Sequence, residues 1–280
     1  MTISISTARA ADLAAHELQH NPLIVWEQLA ASAATGVGTQ VETAANALDP
    51  ATYNFWAATP NVSDAAALDL TLAAGAAVNF VGLAAHNLAD IGATVTLQYS
   101  TDGGSSWTDS AAPAVTPADN RAIGFRFAVS TAADWRLAIS DAADDAVIGV
   151  ALAGREIVIE RRLYQGYAPP LTPNRVELLS NISEGGHFLG NSAMRTGSQV
   201  TASLSHVTPS QIRSAAWLAF QQAFNAGTPF FWAWRPGKYG DLFYAQRQAG
   251  GGALAPVNSG PRDLMSFDLP MRLFHDEAMT

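Results

Sequence analysis

Five residues near the N-terminus have the types and spacing of a zinc-peptidase motif. The run His16-Glu17-Leu18-Gln19-His20 fits His-Glu-x-x-His, which on a helix points both imidazoles at one zinc ion while the glutamate activates bound water. Residues 8–20 favour a helix by composition, and Asn21-Pro22 would end it. The third ligand of such a site comes from another helix, whereas the later acid Glu42 falls in a strand-like segment. We expect a solvated helix here and keep a metallopeptidase using His16, Glu17 and His20 as an alternative.

A second candidate motif is the run Ser100-Thr-Asp-Gly-Gly-Ser-Ser-Trp107. It fits the Asp-box pattern of sialidase propellers, in which the aspartate and glycines shape a hairpin turn and the tryptophan packs beneath it. Propellers carry several such boxes and this chain has one. We therefore expect a structural turn and no sialidase activity.

A third candidate is the aromatic segment Phe230-Phe-Trp-Ala-Trp234, followed by Arg235 and Tyr239. Aromatic residues beside an arginine are enriched at protein–protein contacts, but alternate residues of a strand must also fill the core. A sugar-stacking platform is the other interpretation. We expect core and interface roles and no catalytic residue, since no phosphate-binding loop, nucleophile elbow or carboxylate pair stands out.

Composition excludes several other classes of function. The 280 residues include no cysteine, which excludes disulfides, iron–sulfur clusters and thiolate zinc sites. No window approaches the roughly 18 consecutive apolar residues needed to cross a bilayer, and the N-terminus lacks the basic and apolar regions of a secretory signal. The sequence therefore predicts no membrane span, no cofactor and no enzyme.

Charge divides the chain into two parts. Residues 1–160 carry 17 acidic residues against 5 arginines, a net charge of −12, whereas residues 161–280 carry 7 acidic and 10 basic residues, a net charge of +3. This difference indicates two modules, the basic one being suited to an acidic neighbour. Apart from Arg161-Arg162 the basic residues are scattered singly, so we expect no nucleic-acid partner.

Short apolar segments between residues 23 and 160 alternate with Gly, Asp, Asn and Pro at intervals of roughly ten residues, which predicts an antiparallel β-sandwich. The clearest strands cover residues 78–84, 94–100, 122–129, 134–139 and 148–152. We place an N-terminal helix and lead-in strand at 1–39, the sandwich at 40–153 and a second module at 154–280.

The sequence pattern of the second module predicts an α+β fold. Strand-like segments cover residues 155–160, 176–179, 199–205, 228–234 and 266–274. Thr208-Pro209-Ser210-Gln211 predicts a helix N-cap with a capping box, and the helix should continue to Asn225 with Gly227 as its stop signal. The fold class is therefore mainly β, a sandwich followed by an α+β module with one main helix.

The sandwich resembles galactose-binding-like domains of the discoidin type. The resemblance rests on Asn46-Ala-Leu-Asp49 with Phe55-Trp56, on His86-Asn87, and on Ser100-Thr-Asp-Gly103 leading to Trp107. It covers residues 40–160 and implies ligand loops at one end of the sandwich. The candidate glycan contacts are Tyr53, Phe55, Trp56, His86 and Trp107. A carbohydrate-binding module that recognises host surface glycan is thus one hypothesis.

The arrangement of residues 154–236 resembles tail-tip structural proteins of long-tailed bacteriophages and prophages, with a module similar to the distal-tail and tail-tube fold. This resemblance implies a virion protein of the tail tip or baseplate, made in the host cytoplasm. It also implies a ring of three or six copies that connects tail tube, hub and fibre proteins.

Charge suggests which module would carry that ring. Because an acidic sandwich would repel its own copies, we expect the basic module to form the interface and the sandwich to project outward. The candidate interface residues are Arg161, Arg162, Phe231, Trp232, Trp234 and Arg235.

Overall fold

The computed structural model describes residues 2–163, 166–172, 174–260 and 262–274, and at 175–180 and 191–196 it describes the backbone alone. These residues form three β-sheets and a few short helices, so the predicted mainly β fold is confirmed. Two of the sheets make a sandwich, and the third belongs to an α+β module.

Sheet I is one half of the sandwich. Its strands lie in the order β1 (Ile3–Ile5), β10 (Ile123–Ser130), β7 (Val78–His86), β12 (Ala146–Gly154), β5 (Trp56–Thr59) and β4 (Thr39–Glu42). β1 runs parallel to β10, and the other neighbours are antiparallel.

Sheet II is the other half. Its antiparallel strands lie in the order β3 (Ala30–Val37), β6 (Ala65–Leu72), β11 (Asp134–Ser140), β8 (Thr94–Ser100) and β9 (Thr108–Asp109). Val95 and Leu97 are buried, and Tyr99 packs on the same core, because alternate residues of a strand share a face. The five clearest predicted strands lie within β7, β8, β10, β11 and β12, except that Ala122 precedes the start of β10 at Ile123.

Sheet III belongs to the second module. Its order is β13 (Ile157–Val158), β2 (Leu23–Val25), β16 (Phe230–Ala233), β17 (Phe243–Arg247), β19 (Met265–Leu273), β15 (Phe188–Val207) and β14 (Arg175–Ile182), with β18 (Val257–Asn258) paired to β19. Residues 198–207 of β15 pair with β19, whereas residues 188–197 pair with β14. A two-stranded ribbon therefore extends from the sheet.

The helices are α1 (Thr7–Ala15), a 3-10 helix (Ala44–Leu48), α2 (Pro209–Ile212) and α3 (Ala215–Ala226). The single helix predicted from Thr208 to Asn225 is two helices, because the Ser214 side chain accepts the Trp217 N–H and caps a new start. Gly227 ends α3 with a φ of 87°, the left-handed conformation that favours glycine.

The predicted cap at Thr208 is present, and its side chain accepts the Gln211 N–H. The reciprocal half of the capping box is absent. The Gln211 side chain instead bonds the backbone of Val158 and Glu160, and the Thr208 N–H donates to the Glu160 carboxylate. Long-range contacts thus replace the local one.

Three apolar cores separate four layers. One lies between sheets I and II and another between sheet III and α3, and a third joins sheet I to sheet III. The third core consists mainly of buried residues from β7, β12, β16 and β17, namely Phe80, Ala84, Val150, Leu152, Phe231, Ala233 and Tyr244. Leu242, just before β17, also belongs to it. All of β7 is buried because both faces of sheet I are covered.

Glycines allow these layers to approach closely. A Cβ on Gly82 would lie 3.1 Å from the Phe231 ring, and one on Gly154 would lie 2.4 Å from the Glu27 carbonyl oxygen. A glycine inside a strand often marks such a close approach.

The first 39 residues do not form a separate unit. β1 lies in sheet I, β2 in sheet III and β3 in sheet II. α1 docks on the sandwich through Arg9, which pairs with the buried Glu156 carboxylate at 2.5 Å. The sandwich therefore begins before residue 40 and the second module includes β2, because strand pairing over long sequence distances decides membership.

None of the helices among the described residues has the length and hydropathy needed to cross a membrane.

Candidate functional site

The zinc motif is not assembled in the structure. α1 ends at Ala15, His16 is the residue that caps it, and Glu17 has a φ of 58°. His16 and His20 therefore do not share one helical face. Among the described residues, no cluster of three or more His, Asp or Glu side chains could hold a metal ion.

The Asp-box segment forms a hairpin turn. The Asp102 carboxylate accepts hydrogen bonds from the Ser106 N–H and hydroxyl at 2.9 and 2.6 Å and from the Ser100 hydroxyl at 2.7 Å. These bonds lower the pKa of Asp102 to about 2. Gly103 and Gly104 supply left-handed φ values of 70° and 83°. The interpretation as a structural turn is confirmed.

His86 is buried in the sandwich at 2% exposure. Its Nδ1 accepts the Leu88 N–H at 3.3 Å, so Nε2 donates to the Arg121 carbonyl at 2.9 Å. Burial lowers its pKa to about 4, against the opposing effects of that carbonyl and of Asp119 and Asp90. A neutral, bonded and buried imidazole cannot reach a glycan, so its predicted ligand role is wrong.

Trp56 is also buried, and its indole N–H donates to the Thr35 hydroxyl at 3.3 Å. It belongs to the core between sheets I and II, as a large apolar side chain at the start of a central strand would. The Trp56 side chain is therefore not accessible to a glycan, contrary to its prediction as a glycan contact.

Trp107 is half-buried, and the Arg136 guanidinium lies 4.1 Å from its ring centroid. Arg136 is held by Asp69 through bonds of 2.7 and 2.9 Å. Trp107 follows the end of β8 at Ser100, whereas His86 precedes its start at Thr94. A seven-residue strand spans roughly 20 Å, so these two predicted contacts lie at opposite ends of the sandwich.

Tyr53 is the accessible member of the predicted set, at 78% exposure, and Phe55 beside it is half-buried. Both lie in residues 49–55, which we call the aromatic loop. Its Asp49 carboxylate accepts the Ala51 N–H and the Asn54 amide, each at 2.9 Å.

The aromatic loop is also tied to the rest of the chain. The Asn46 amide donates to the Phe55 carbonyl at 2.9 Å, and the Tyr244 hydroxyl of sheet III donates to the Pro50 carbonyl at 2.7 Å. Burial raises the pKa of Tyr244, so this hydroxyl stays protonated and remains a donor. The loop therefore presents Tyr53 from a fixed backbone.

Two predicted interface residues fill the interior instead. Phe231 faces sheet I, 5.7 Å from the Phe80 ring and 5.1 Å from the Tyr244 ring. Trp232 faces α3, and its indole N–H donates to the Tyr167 hydroxyl at 2.9 Å. Large side chains thus lie on both faces of this strand, and neither residue is available to a partner.

Trp234 and Arg235 lie just beyond β16 and are half-buried. Trp234 stacks on Tyr239 at 5.2 Å and 16°, and contacts Tyr167 at 5.5 Å. The Lys238 and Tyr239 N–H groups donate to the Arg235 carbonyl at 3.1 and 3.0 Å, which closes a turn. We call residues 234–239, together with His20 and Arg162, the basic turn.

Arg161 and Arg162 are exposed at the module junction. Arg161 donates to the His206 carbonyl at 2.9 Å, and Arg162 donates to the Asn21 amide oxygen at 3.4 Å. Their role as contacts for a partner stays a prediction. Lys238 and His20, which the structure brings beside Arg162, were not predicted to join it because no local pattern links residues 20, 162 and 238.

No protein-family model and no curated protein matches this chain. Among solved structures, it is similar to a pectin-binding carbohydrate-binding module, with 16% identity, a TM-score of 0.37, and coverage of 45% of this chain and 91% of that one. It is also similar to a chitosan-binding module of a chitosanase/glucanase from Paenibacillus sp. IK-5, with 21% identity, a TM-score of 0.38, and coverage of 45% of this chain and 96% of that one. A third similar structure is a CBM32 module from Clostridium perfringens in complex with GalNAc-β-1,3-galactose, with 14% identity, a TM-score of 0.38, and coverage of 44% of this chain and 94% of that one. At these identities and TM-scores the matches carry no functional argument, and the tail-tip assignment stays a prediction.

Proposed function

We propose that this chain is a non-catalytic binding protein whose sandwich recognises carbohydrate through the aromatic loop. The observation that carries the proposal is Tyr53, whose large ring is 78% exposed on a loop held by hydrogen bonds at several points. An exposed tyrosine offers an apolar face for the C–H groups of a sugar and a hydroxyl for its polar edge.

The fixed backbone favours binding for an energetic reason. Association is opposed by the entropy lost when loops become ordered, and a loop that is already ordered loses less. The Asp49 carboxylate and the Asn54 amide, on either side of Tyr53 in the sequence, bond each other at 2.9 Å, so the same loop carries polar groups. A few oriented polar groups next to an aromatic surface are what fixes a small ligand.

A glycan array probed with the full chain tests the proposal. We expect binding to at least one glycan, and Tyr53→Ala should weaken it by about tenfold or more, the loss typical of a central aromatic contact. Val62→Ala, which truncates a fully exposed side chain on another loop, is the matched control and should bind as the parent does. Absence of any bound glycan, or equal binding by the Tyr53 variant, would refute the proposal.

The full chain is the correct reagent for this test. In an isolated sandwich, the outer face of sheet I would expose Phe80, Val150 and Leu152, which sheet III covers. An exposed apolar patch of this kind promotes aggregation and non-specific adsorption. The Tyr244 bond that holds Pro50 would also be lost.

A second function, assembly into a larger particle, is supported by the ribbon of β14 and β15. The apolar residues at its end are exposed, Ile182 at 60%, Phe188 at 84% and Leu189 at 67%. Exposed large apolar residues grouped together mark interaction sites. We propose that this ribbon docks on another chain, and that the assembly is the tail-tip ring of a long-tailed phage, in contact with tube, hub or fibre proteins.

Light scattering and negative-stain microscopy test this second function. The parent chain should form a ring in solution or appear in virions, and Phe188→Ser with Leu189→Ser should abolish both. Leu218→Ser is the control, since Leu218 is a 46% exposed apolar residue on α3, away from the ribbon. A monomer that never appears in particles would exclude assembly and leave the carbohydrate proposal intact.

A further inference from the structure

The basic turn collects positive charge without a carboxylate partner. Arg162, Arg235 and Lys238 all lie close enough to act on the charge of His20. Within the described ranges, none of these three cations forms an ion pair, although four other arginines do, namely Arg9, Arg121, Arg126 and Arg136. Like charges held together repel each other, so the arrangement favours an anion.

Several polar atoms of the basic turn and of the adjacent Gln19 are buried and have no hydrogen-bond partner among the described residues. They are His20 Nδ1, Gln19 Oε1, Trp234 Nε1 and Arg235 Nε. The last two are obligatory donors, since indole and guanidinium N–H groups cannot accept. An unpaired buried donor is unfavourable. These atoms are enclosed by protein, so the groups open to a ligand are the exposed side chains of Arg162 and Lys238.

The geometry of the turn is fixed by its packing on the N-terminal segment. A Cβ on Gly237 would lie only 2.1 Å from the Gln19 carbonyl oxygen and 2.8 Å from His20 Nδ1. The neighbouring Asn21 is buried, and its amide donates to the Ile159 carbonyl at 2.9 Å. Three distant chain segments are therefore packed together here, and their backbones carry the cations to one part of the surface.

The aromatic rings of the turn are engaged with one another. Trp234 contacts both Tyr239 and Tyr167, and Lys238 Nζ lies 5.2 Å from the Tyr239 centroid. These contacts occupy ring surface on which a sugar would stack. What the turn offers a ligand is charge and N–H donors, together with the aromatic and arginine composition typical of protein interfaces.

We propose that the basic turn binds the carboxylate groups of an acidic protein surface. Guanidinium groups match carboxylates in shape, and charge-assisted hydrogen bonds are stronger than neutral ones. The site is independent of the aromatic loop and of its carbohydrate ligand.

His20 reports occupancy of the site. Burial lowers its pKa, and so do Arg162, Arg235 and Lys238 in that order. A bound carboxylate opposes the three cations and raises the pKa of His20 again. The imidazole proton resonances of this residue, assigned with His20→Gln, follow binding directly.

The experiment is an NMR titration of the full chain with a deca-glutamate peptide at low and at high salt. We expect the peptide to shift the His20 resonances and raise the pKa of that residue, with weaker binding at high salt. Arg162→Gln and Lys238→Gln should each raise the Kd by about tenfold. Arg213→Gln, which removes an exposed charge at the end of α2, is the control and should leave the Kd unchanged.

Three results would overturn the proposal. One is an unchanged His20 signal at saturating peptide and low salt. Another is equal loss of affinity in the Arg213 variant, which would indicate general charge attraction. The third is binding of oligogalacturonate with equal or higher affinity than the peptide, which would assign the site to an acidic polysaccharide.

Discussion

The core between sheets I and III makes the two modules one unfolding unit, and Phe231→Ala tests this. Phe231 is fully buried, with the Phe80 and Tyr244 rings at 5.7 and 5.1 Å. Removing a buried phenylalanine side chain and leaving a cavity costs about 3–5 kcal/mol. We expect a loss of that size in the free energy of unfolding, because the glycines and rings around the site have little freedom to collapse.

Urea denaturation followed by far-UV circular dichroism and by tryptophan fluorescence measures the effect. If the modules unfold together, both probes of the parent chain give one coincident transition, and Phe231→Ala moves it to lower urea with little change in slope. Phe230→Ala is the matched control. It truncates the preceding residue of the same strand, also fully buried, but in the core against Phe220 and Phe224 of α3.

The two variants separate the possible outcomes. A single cooperative unit predicts a single shifted transition for both. Independent modules predict that Phe230→Ala lowers only one of two transitions. A parent chain with two resolved transitions, or a loss below about 1 kcal/mol for Phe231→Ala, would refute the reasoning, because a residue in a shared core cannot be nearly neutral.

Two further predictions concern pH and packing. Because the pKa of His86 is about 4 when folded against 6.5 in the unfolded chain, the unfolded state binds the extra proton between those pH values, and stability should fall by roughly 3 kcal/mol as the pH drops through that window. Urea unfolding at a series of pH values measures this dependence. His86→Gln should flatten the plot of stability against pH, whereas His16→Gln, at an exposed histidine, should leave it unchanged. An unchanged plot for His86→Gln would contradict the assignment of this pH dependence to His86. Gly154→Ala should lower stability by about 1–3 kcal/mol, since its Cβ would meet the Glu27 carbonyl at 2.4 Å. Gly197→Ala, where a Cβ meets nothing within 4 Å, is the control, and thermal unfolding showing equal effects for both would exclude close packing as the cause.

Strand positions could be predicted from the sequence where one face of a strand is buried and the other is exposed to solvent. The segment from Thr94 to Ser100 shows this, because the alternation that placed Val95 and Leu97 on one face is the pleat of the strand itself. The hairpin turn could be predicted equally well, since Asp102 and the two glycines that follow it determine the turn through local hydrogen bonds and backbone conformation.

What the sequence did not reveal depends on contacts between distant segments. The continuous apolar run of β7 is a sign of burial on both faces, yet it does not say which layer covers the second face. Strand β2 belongs to a sheet whose other members begin at residue 157, and no local pattern links them. The resemblance to discoidin-type domains places His86 and Trp56 in ligand loops, and only the packed sandwich shows that they point inward.

The two candidate sites differ in whether the sequence alone could reveal them. Tyr53 could be named from the sequence through the resemblance to discoidin-type domains, and the structure leaves its side chain 78% exposed. The basic turn could not, since it needs residues 19–21, 162 and 234–239 to meet.

Packing between the modules also links the aromatic loop to the second module. The Tyr244 hydroxyl that holds Pro50 comes from β17, and the Tyr244 ring packs against Phe231 in the core between sheets I and III. The second module therefore positions the backbone that presents Tyr53. Because a packed apolar core joins the modules in place of a linker, a ligand at the aromatic loop and a partner at the basic turn would be held at a set distance and orientation. The proposed carbohydrate and assembly functions are then compatible on physical grounds, since the aromatic loop, the basic turn and the ribbon are formed by different residues.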